Sequence, residues 1–287
     1  PKENYSAKLR AKSMVYFVIC IILTLICLVP IYILIINATR KHVDIISSVS
    51  FIPGSNLAAN VKKLLNDPMF QFDPFIGFKN SAIIAVGSTV LSVFFSALTA
   101  YGLVVYDFKL RGPAYTFILV VMMVPMQVTS VGFLQFMIKL GLSDSFIPLI
   151  VPTIAAPAIV FFMRQYLKSS FPLDIVEAAR IDGCGEFRTF LTIAIPMMKP
   201  AIAVQAIFAF IQNWNNFYQP SMILVSRKFE QITMPMMINM LKSNDKIADY
   251  GVIYAGIALS IIPVVVIYLL LSRFIVEGVA LGGVKES

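Results

Sequence analysis

Six long apolar runs, at 14–36, 80–105, 115–138, 146–166, 201–226 and 250–272, leave this chain few ways to fold. A helix needs about 20 apolar residues to cross roughly 30 Å of hydrocarbon, so each run is read as one transmembrane helix. A soluble domain of 287 residues could bury a core, but it would still need a charged surface. Here only 13% of residues are Asp, Glu, Lys or Arg, against roughly 25% in soluble domains, and they gather at the ends of the runs. With 59% hydrophobic residues and a mean hydropathy of +0.84, the chain reads as an all-α polytopic membrane protein.

The formal net charge of +8 does not point to nucleic acid, because no basic face, stacking pattern or recognition motif accompanies it. It is assigned to Lys and Arg beside the membrane. Cys20 and Cys27 lie inside the first run and Cys184 stands alone in a loop, so no structural disulfide is expected. His42 is the sole histidine and has no clustered carboxylates, which argues against a metal site. Met122, Met123, Met126 and Met137 are read as packing residues. Pro125, Pro148, Pro152 and Pro157 fall within the third and fourth runs, where neighbouring groups must satisfy the backbone they free.

An even number of crossings puts both termini on one side. Lys2, Lys8, Arg10 and Lys12 precede the first run, and Lys109 and Arg111 in the short 106–114 turn outweigh Lys139 in 139–145. The excess of positive charge predicts cytoplasmic termini. Residues 1–13 are then a cytoplasmic segment, 14–272 the six-helix domain and 273–287 a cytoplasmic tail. The first run is expected to stay as a signal anchor, since it is too long for a usual signal peptide and lacks a small-residue cleavage site. Asn37-Ala38-Thr39 matches a glycosylation sequon but is read as a polar helix end. Segments 37–79 and 227–249 become outer loops. DPFIGFKNS at 73–81 suits an interfacial anchor, and Ser143 or Asp144 of the GLSD turn is positioned to cap a helix.

Residues 167–199 form the long inner loop. Pro172 is expected to begin a helix, with Asp174 in its first turn, and Gly183 and Gly185 to break it. A second periodic stretch ends at Pro196, and Pro200 fits the first turn of the fifth run. The expected object is a helix–turn–helix on the membrane surface, with Glu177 and Arg180 as an i,i+3 pair. Periodicity alone leaves open whether it is a stabilised connection or a docking element.

The fifth run is interrupted by amides: Gln205, Gln212, Asn213, Asn215, Asn216 and Gln219. Counting from 201, Asn213 lies about 18 Å into the membrane, near its midplane. Unpaired amides are costly in lipid, so they should face protein or a wet cavity. Asn213, Trp214, Asn215, Phe217 and Tyr218 together offer hydrogen-bonding groups and ring faces that suit a sugar, although interhelical hydrogen bonds would explain the amides too. Pro220 is placed to bend the helix.

Glu177-Ala178-Ala179, Asp182-Gly183, Phe190, Ile193, Pro196 and Pro200 follow the spacing EAA-x2-DG with an I-x2-P-x3-P tail. This resembles the EAA loop of binding-protein-dependent ABC importer permeases. NSAIIAVGSTVLSVFFSALTAYGL at 80–103 and NWNNFYQPSMIL at 213–224 extend the resemblance to the smaller, six-span subunit of maltose-type carbohydrate importers, over roughly residues 10–280. The resemblance implies the type I ABC importer permease fold and an ATP-dependent carbohydrate importer, with an oligosaccharide as substrate. It implies a coupling helix in a groove of an ATPase, with Glu177 as polar anchor, Ala178 and Ala179 allowing close approach, and Asp182-Gly183 at the turn. Cys184 stands where the family usually has alanine. In that family the fifth span can line the translocation path, which carries over to Asn213, Trp214, Asn215, Phe217 and Tyr218; Gln219 departs from a position often aromatic or apolar.

The implied partners are a related non-identical permease, two cytoplasmic ATPase subunits and an extracellular or periplasmic solute-binding protein. No cofactor is expected on this chain, and ATP with Mg belongs to the partner ATPase. There is no GxxxxGK[ST] phosphate loop, and GVIYAGIA at 251–258 reads as small-residue helix packing. Neither paired carboxylates nor a nucleophile–base set suggests an enzyme. A gradient-driven transporter would call for buried ionisable groups, and the runs carry no carboxylate. A non-transporting scaffold is the remaining alternative.

Overall fold

The computed structural model describes residues 2–226, 228–243 and 249–283, with the backbone course alone for 2–11 and 273–283. In chain order the α-helices are α1 (Lys2–Ala38), α2 (His42–Ser47), α3 (Leu57–Asn66), α4 (Pro74–Val105), α5 (Arg111–Met122), α6 (Met126–Lys139), α7 (Ile147–Ile150), α8 (Pro157–Ser170), α9 (Asp174–Ile181), α10 (Glu186–Thr189), α11 (Ile195–Met197), α12 (Lys199–Trp214), α13 (Tyr218–Ile223), α14 (Met234–Ser243) and α15 (Tyr250–Gly283). Among the described residues, four segments are long and apolar enough to cross a membrane: Lys12–Ala38, Pro68–Val105, Ile147–Ser170 and Tyr250–Ser272. Two bent pairs, α5 with α6 at 94° and Glu186–Met197 with α12 at 80°, bring the crossings to six if each pair counts once.

Helix extends further at both ends than the hydropathy suggested. The backbone is helical from Lys2 and again to Gly283, so helix runs through 2–13 and 273–283. The side chains of Lys2, Lys8 and Arg10, residues 244–248 of the expected outer loop and 284–287 of the expected tail lie outside the described residues.

The chain divides into two compact units, 1–72 with 238–261, and 73–237 with 262–287. In the first unit, residues 39–66 form a cap of two short helices, α2 and α3, tied back to the end of α1 through Arg40 and Asn60. Arg40, 7% exposed, donates from Nη2 to Asp44 O at 2.6 Å and from Nη1 to Asn37 Oδ1 at 3.2 Å, so its charge meets carbonyls at the end of α2. Asn37 is thereby a buried helix end, as its sequence context suggested. Asn60 donates to the carbonyls of Ala38 and Arg40 at 2.8 and 2.9 Å. A Cβ at Gly251 would lie 2.5 Å from the Arg40 carbonyl, which explains glycine there. His42 stacks on Tyr250 at 5.2 Å and its Nδ1 accepts the Tyr250 N–H; it binds no metal-type cluster among the described residues.

In the second unit α4 is the central post. Ser81, Ala85, Ser88, Ser92, Ser96, Ala97 and Ala100 are buried along it, and α8 and α12 pack on these small residues. Its serines also mend the broken fourth run. Pro148, Pro152 and Pro157 divide that run into α7, a 3-10 turn (Val151–Ile154) and α8. Ser88 Oγ donates to Leu149 O at 3.1 Å, Ser96 Oγ to Ala156 O at 3.4 Å, and Thr153 Oγ1 back to Ser88 O at 3.2 Å. Buried irregular backbone in a membrane needs such partners. Arg164, closing the run, lays its guanidinium 3.7 Å from the centre of the Tyr115 ring.

Two runs expected as single helices are bent. The third breaks at Met123–Pro125, where Pro125 lacks the N–H to continue. Of its methionines, Met137 is buried, whereas Met122, Met123 and Met126 are exposed, Met123 at 81%; those three are not core packing within this chain. The fifth ends at Trp214 and resumes as the short α13. There side-chain amides take backbone groups: Asn213 Nδ2 donates to Ala209 O at 2.8 Å, and Asn216 Oδ1 accepts Gln219 N–H at 3.2 Å. Such local bonds compete with the helix ladder.

Candidate functional site

The first candidate is the loop between α8 and α12. Pro172 precedes α9 by two residues instead of starting it, and Asp174 and Glu177 occupy its first turn. Val176, 1% exposed, lies in a core with Tyr101, Phe190 and Met198, and Ala179 is buried at 7%. Glu177, Ala178 and Asp182 point outward, and Ile181 is 87% exposed. A helix normally hides such an isoleucine.

The end of α9 is a Schellman cap. Cys184 N–H bonds Ala179 O at 2.9 Å, Gly183 N–H bonds Arg180 O at 3.0 Å, and Gly183 has φ +74°. Gly183 thus uses glycine's freedom. Gly185, at φ −67°, does not; it flanks α10 with ordinary extended backbone. Cys184 is the last residue of the cap motif.

Arg180 does not pair with Glu177. It turns to Glu186, with Nε to Oε1 at 2.7 Å and Nη2 to Oε2 at 3.3 Å. Glu186 Oε2 also accepts the Tyr106 hydroxyl at 2.6 Å, and the Arg180 guanidinium lies 5.7 Å from the Tyr106 ring centre. Burial, then the bond to Glu186, push the Tyr106 hydroxyl up to about 12. The i,i+3 rule favoured the wrong partner because the chain reverses at Gly183 and brings a residue six positions on into reach. Tyr106 and Glu186 were missed altogether. After the turn, α10 passes through a π-helical turn, Phe190–Ala194, which accommodates Pro196, before the 80° bend into α12.

The second candidate is the break in the fifth run. Asn213 is half-buried with its amide on Ala209, and Asn215 is exposed. Trp214 is 2% exposed, between Phe78 at 6.1 Å and Phe210 at 5.6 Å, so it packs in the core with Ala85 and presents no ring face to a path. Phe217 and Tyr218 are 39% and 44% exposed. The Tyr218 hydroxyl lies 2.9 Å from Ser130 Oγ, a hydrogen bond between α13 and α6. Beside it is a cavity of about 230 Å³ lined by Met126, Thr129, Ser130, Phe133, Pro152, Gln219, Met222 and Ile223. That is below the roughly 300–1,000 Å³ of complete ligand pockets, so it holds at most part of a solute. Gln219 accepts from Asn216 Nδ2 at 2.7 Å through Oε1, which accounts for its amide oxygen.

Residues 92–280 match the family described as "Binding-protein-dependent transport system inner membrane component". The chain belongs to that family. It is therefore a multi-pass membrane permease, the transport subunit of an ABC importer and not its catalytic one. The permease is 35% identical over 268 residues, 92% of each chain, to "Arabinooligosaccharides transport system permease protein AraQ" of Bacillus subtilis (strain 168). It is 33% identical over 215 residues, 75% of this chain and 77% of the relative, to "Lactose transport system permease protein LacG" of Rhizobium radiobacter. Its fold matches a chain of a bacterial ABC transporter involved in the import of the acidic polysaccharide alginate, with TM-score 0.74 at 24% identity, over 92% of this chain and 96% of that one. This is the type I ABC importer permease fold. Among the described residues no cluster of His, Cys, Asp and Glu is arranged for a metal ion.

Proposed function

We propose that this permease is one of two non-identical membrane subunits of an ATP-driven oligosaccharide importer. The relatives named for arabinooligosaccharides and lactose support a carbohydrate substrate. The observation that carries the coupling role is the outward face of α9, with Glu177, Ala178, Asp182 and the exposed Ile181 on a helix whose other face is locked in the core. That face seats in a groove of a cytoplasmic ATPase, which holds the ATP and Mg, while the termini lie in the cytoplasm. A solute-binding protein delivers the sugar from outside, and closure of the ATPases carries α9 with the spans.

Asn213, Asn215, Phe217 and Tyr218 are assigned to the path, and Trp214 to the packing behind it. Transport by the complex reconstituted with its ATPases and binding protein tests the reading. Uptake should require ATP and stop when the ATPase is omitted, and Glu177→Lys with Gly183→Pro should abolish ATPase docking. Uptake driven by an ion gradient without ATP would overturn it. A tag at 285 should be reached only from the cytoplasmic side.

A further inference from the structure

The tip of the connection after α1 carries an apolar set turned outward: Val49, Phe51 and Ile52 are 77%, 58% and 76% exposed. Exposure alone does not say what covers them. Two observations do.

The first is depth. Tyr32 lies inside α1, whose apolar stretch is only 6% buried within the chain, and donates its hydroxyl to Phe51 O at 2.7 Å. The centre of the run 14–36 is residue 25, so Tyr32 is about 10 Å from it along the axis. The hydrocarbon edge lies about 15 Å from the bilayer centre. A span centred on its apolar run therefore puts the Tyr32 backbone inside that edge, with the Phe51 carbonyl one tyrosine side chain away from it.

The second is that the backbone around Ile52 is satisfied from within the segment and from Thr39. Ile52 N–H donates to Ser50 Oγ at 3.1 Å, and the Ser50 hydroxyl donates to Ile52 O at 3.2 Å. Pro53 has no N–H, and Gly54 N–H donates to Thr39 Oγ1 at 2.8 Å. A loop in water needs none of these bonds, whereas backbone at the hydrocarbon edge has no water to replace them.

We infer that residues 49–53 form a membrane-dipping loop, seating Val49, Phe51 and Ile52 among lipid acyl chains beside α1. The loop anchors the cap of the first unit to the bilayer at a fixed depth. It adds a lipid contact to the permease and does not depend on which solute is carried.

The test uses the assembled importer in liposomes of phosphatidylethanolamine and phosphatidylglycerol, with a benzophenone amino acid at position 52. Irradiation should yield phospholipid adducts by mass spectrometry. Adducts to the partner permease, to the solute-binding protein, or to neither protein nor lipid would overturn the inference. A fluorophore on Ile52→Cys, with Cys20, Cys27 and Cys184 replaced, gives an independent measure. Lipid spin-labelled at acyl carbon 5 should quench it at least about twofold more than aqueous iodide; the reverse order places the loop in water.

Discussion

Arg180 holds Glu186 by two of its nitrogens, at 2.7 and 3.3 Å, across a turn that only a residue at φ +74° closes. The pair joins α9 to α10, and the Tyr106 hydroxyl ties the same carboxylate to the end of α4. The outward face of α9 is thus fixed against the central helix of its unit by one short polar relay. Movement of α9 has a direct route into α4.

Removing the relay should weaken coupling more than folding. Both charged side chains are about 40% exposed, at 39% and 44%, where an ion pair contributes about 0.2–1 kcal/mol. Glu186→Gln should therefore leave expression and Tm nearly unchanged. If the geometry of α9 sets docking, the ATPase should bind about fivefold more weakly, a change of about 1 kcal/mol. Co-purification and titration of the ATPase measure this, with Glu186→Asp as a shorter acid that keeps the charge.

Gly183 and Gly185 should respond unequally to the same substitution. No atom lies within 4 Å of a Cβ built at either glycine, so sterics with neighbours do not distinguish them. Backbone does: left-handed backbone costs an ordinary residue about 1–2 kcal/mol, and Gly185 is already in an extended conformation. Gly183→Ala should destabilise the loop by that amount, Gly183→Asn by less, and Gly185→Ala hardly at all. Thermal unfolding of the purified complex and limited proteolysis of 172–200 would report the order.

Much of this was legible because it depends on local chemistry. The apolar runs pointed to the up to six crossings that the helices allow, and Gly183 to the turn. What escaped were outcomes of competition. Pro125 and the Asn213–Asn216 amides interrupted the helix in two apparent spans, since side chains and a missing N–H outbid the helix ladder locally. Window hydropathy averages over such residues. Arg180 illustrates the same limit, because its partner depends on the path of the chain after α9. Trp214 looked like a sugar platform by type, and only the positions of Phe78 and Phe210 assign it to packing.

Acid should loosen the turn at Asp144. This residue has φ +58°, its Oδ1 accepts Ser226 N–H at 2.8 Å, and its carbonyl accepts from Gln231 Nε2 at 2.9 Å. The Ser226 backbone bond, foremost among the causes, holds its carboxyl below the usual carboxylate value. A group with a lowered folded pKa contributes stability above its unfolded pKa and loses it as pH falls through the folded one. The clasp should be intact at neutral pH and weaken progressively below the ordinary carboxylate range. Hydrogen exchange at the Ser226 amide should accelerate there, and Asp144→Asn should remove the pH dependence while keeping a residue that tolerates positive φ.

Trp214 and Tyr218 are four residues apart, yet their substitutions should separate stability from transport. Removing a buried aromatic such as Trp214 costs about 3–5 kcal/mol, so Trp214→Ala should lower Tm and yield of the complex. Tyr218 is 44% exposed and makes one side-chain bond, to Ser130. Tyr218→Phe removes that bond at about 1 kcal/mol and leaves the ring, while Tyr218→Ala removes both. If the ring faces the sugar, Tyr218→Ala should raise the KM for uptake or lower its maximal rate by about fivefold or more, with Tyr218→Phe in between and Tm nearly constant. Equal transport by all three Tyr218 forms would move the path away from α13. Loss of transport in proportion to loss of Tm would make Tyr218, like Trp214, a packing residue.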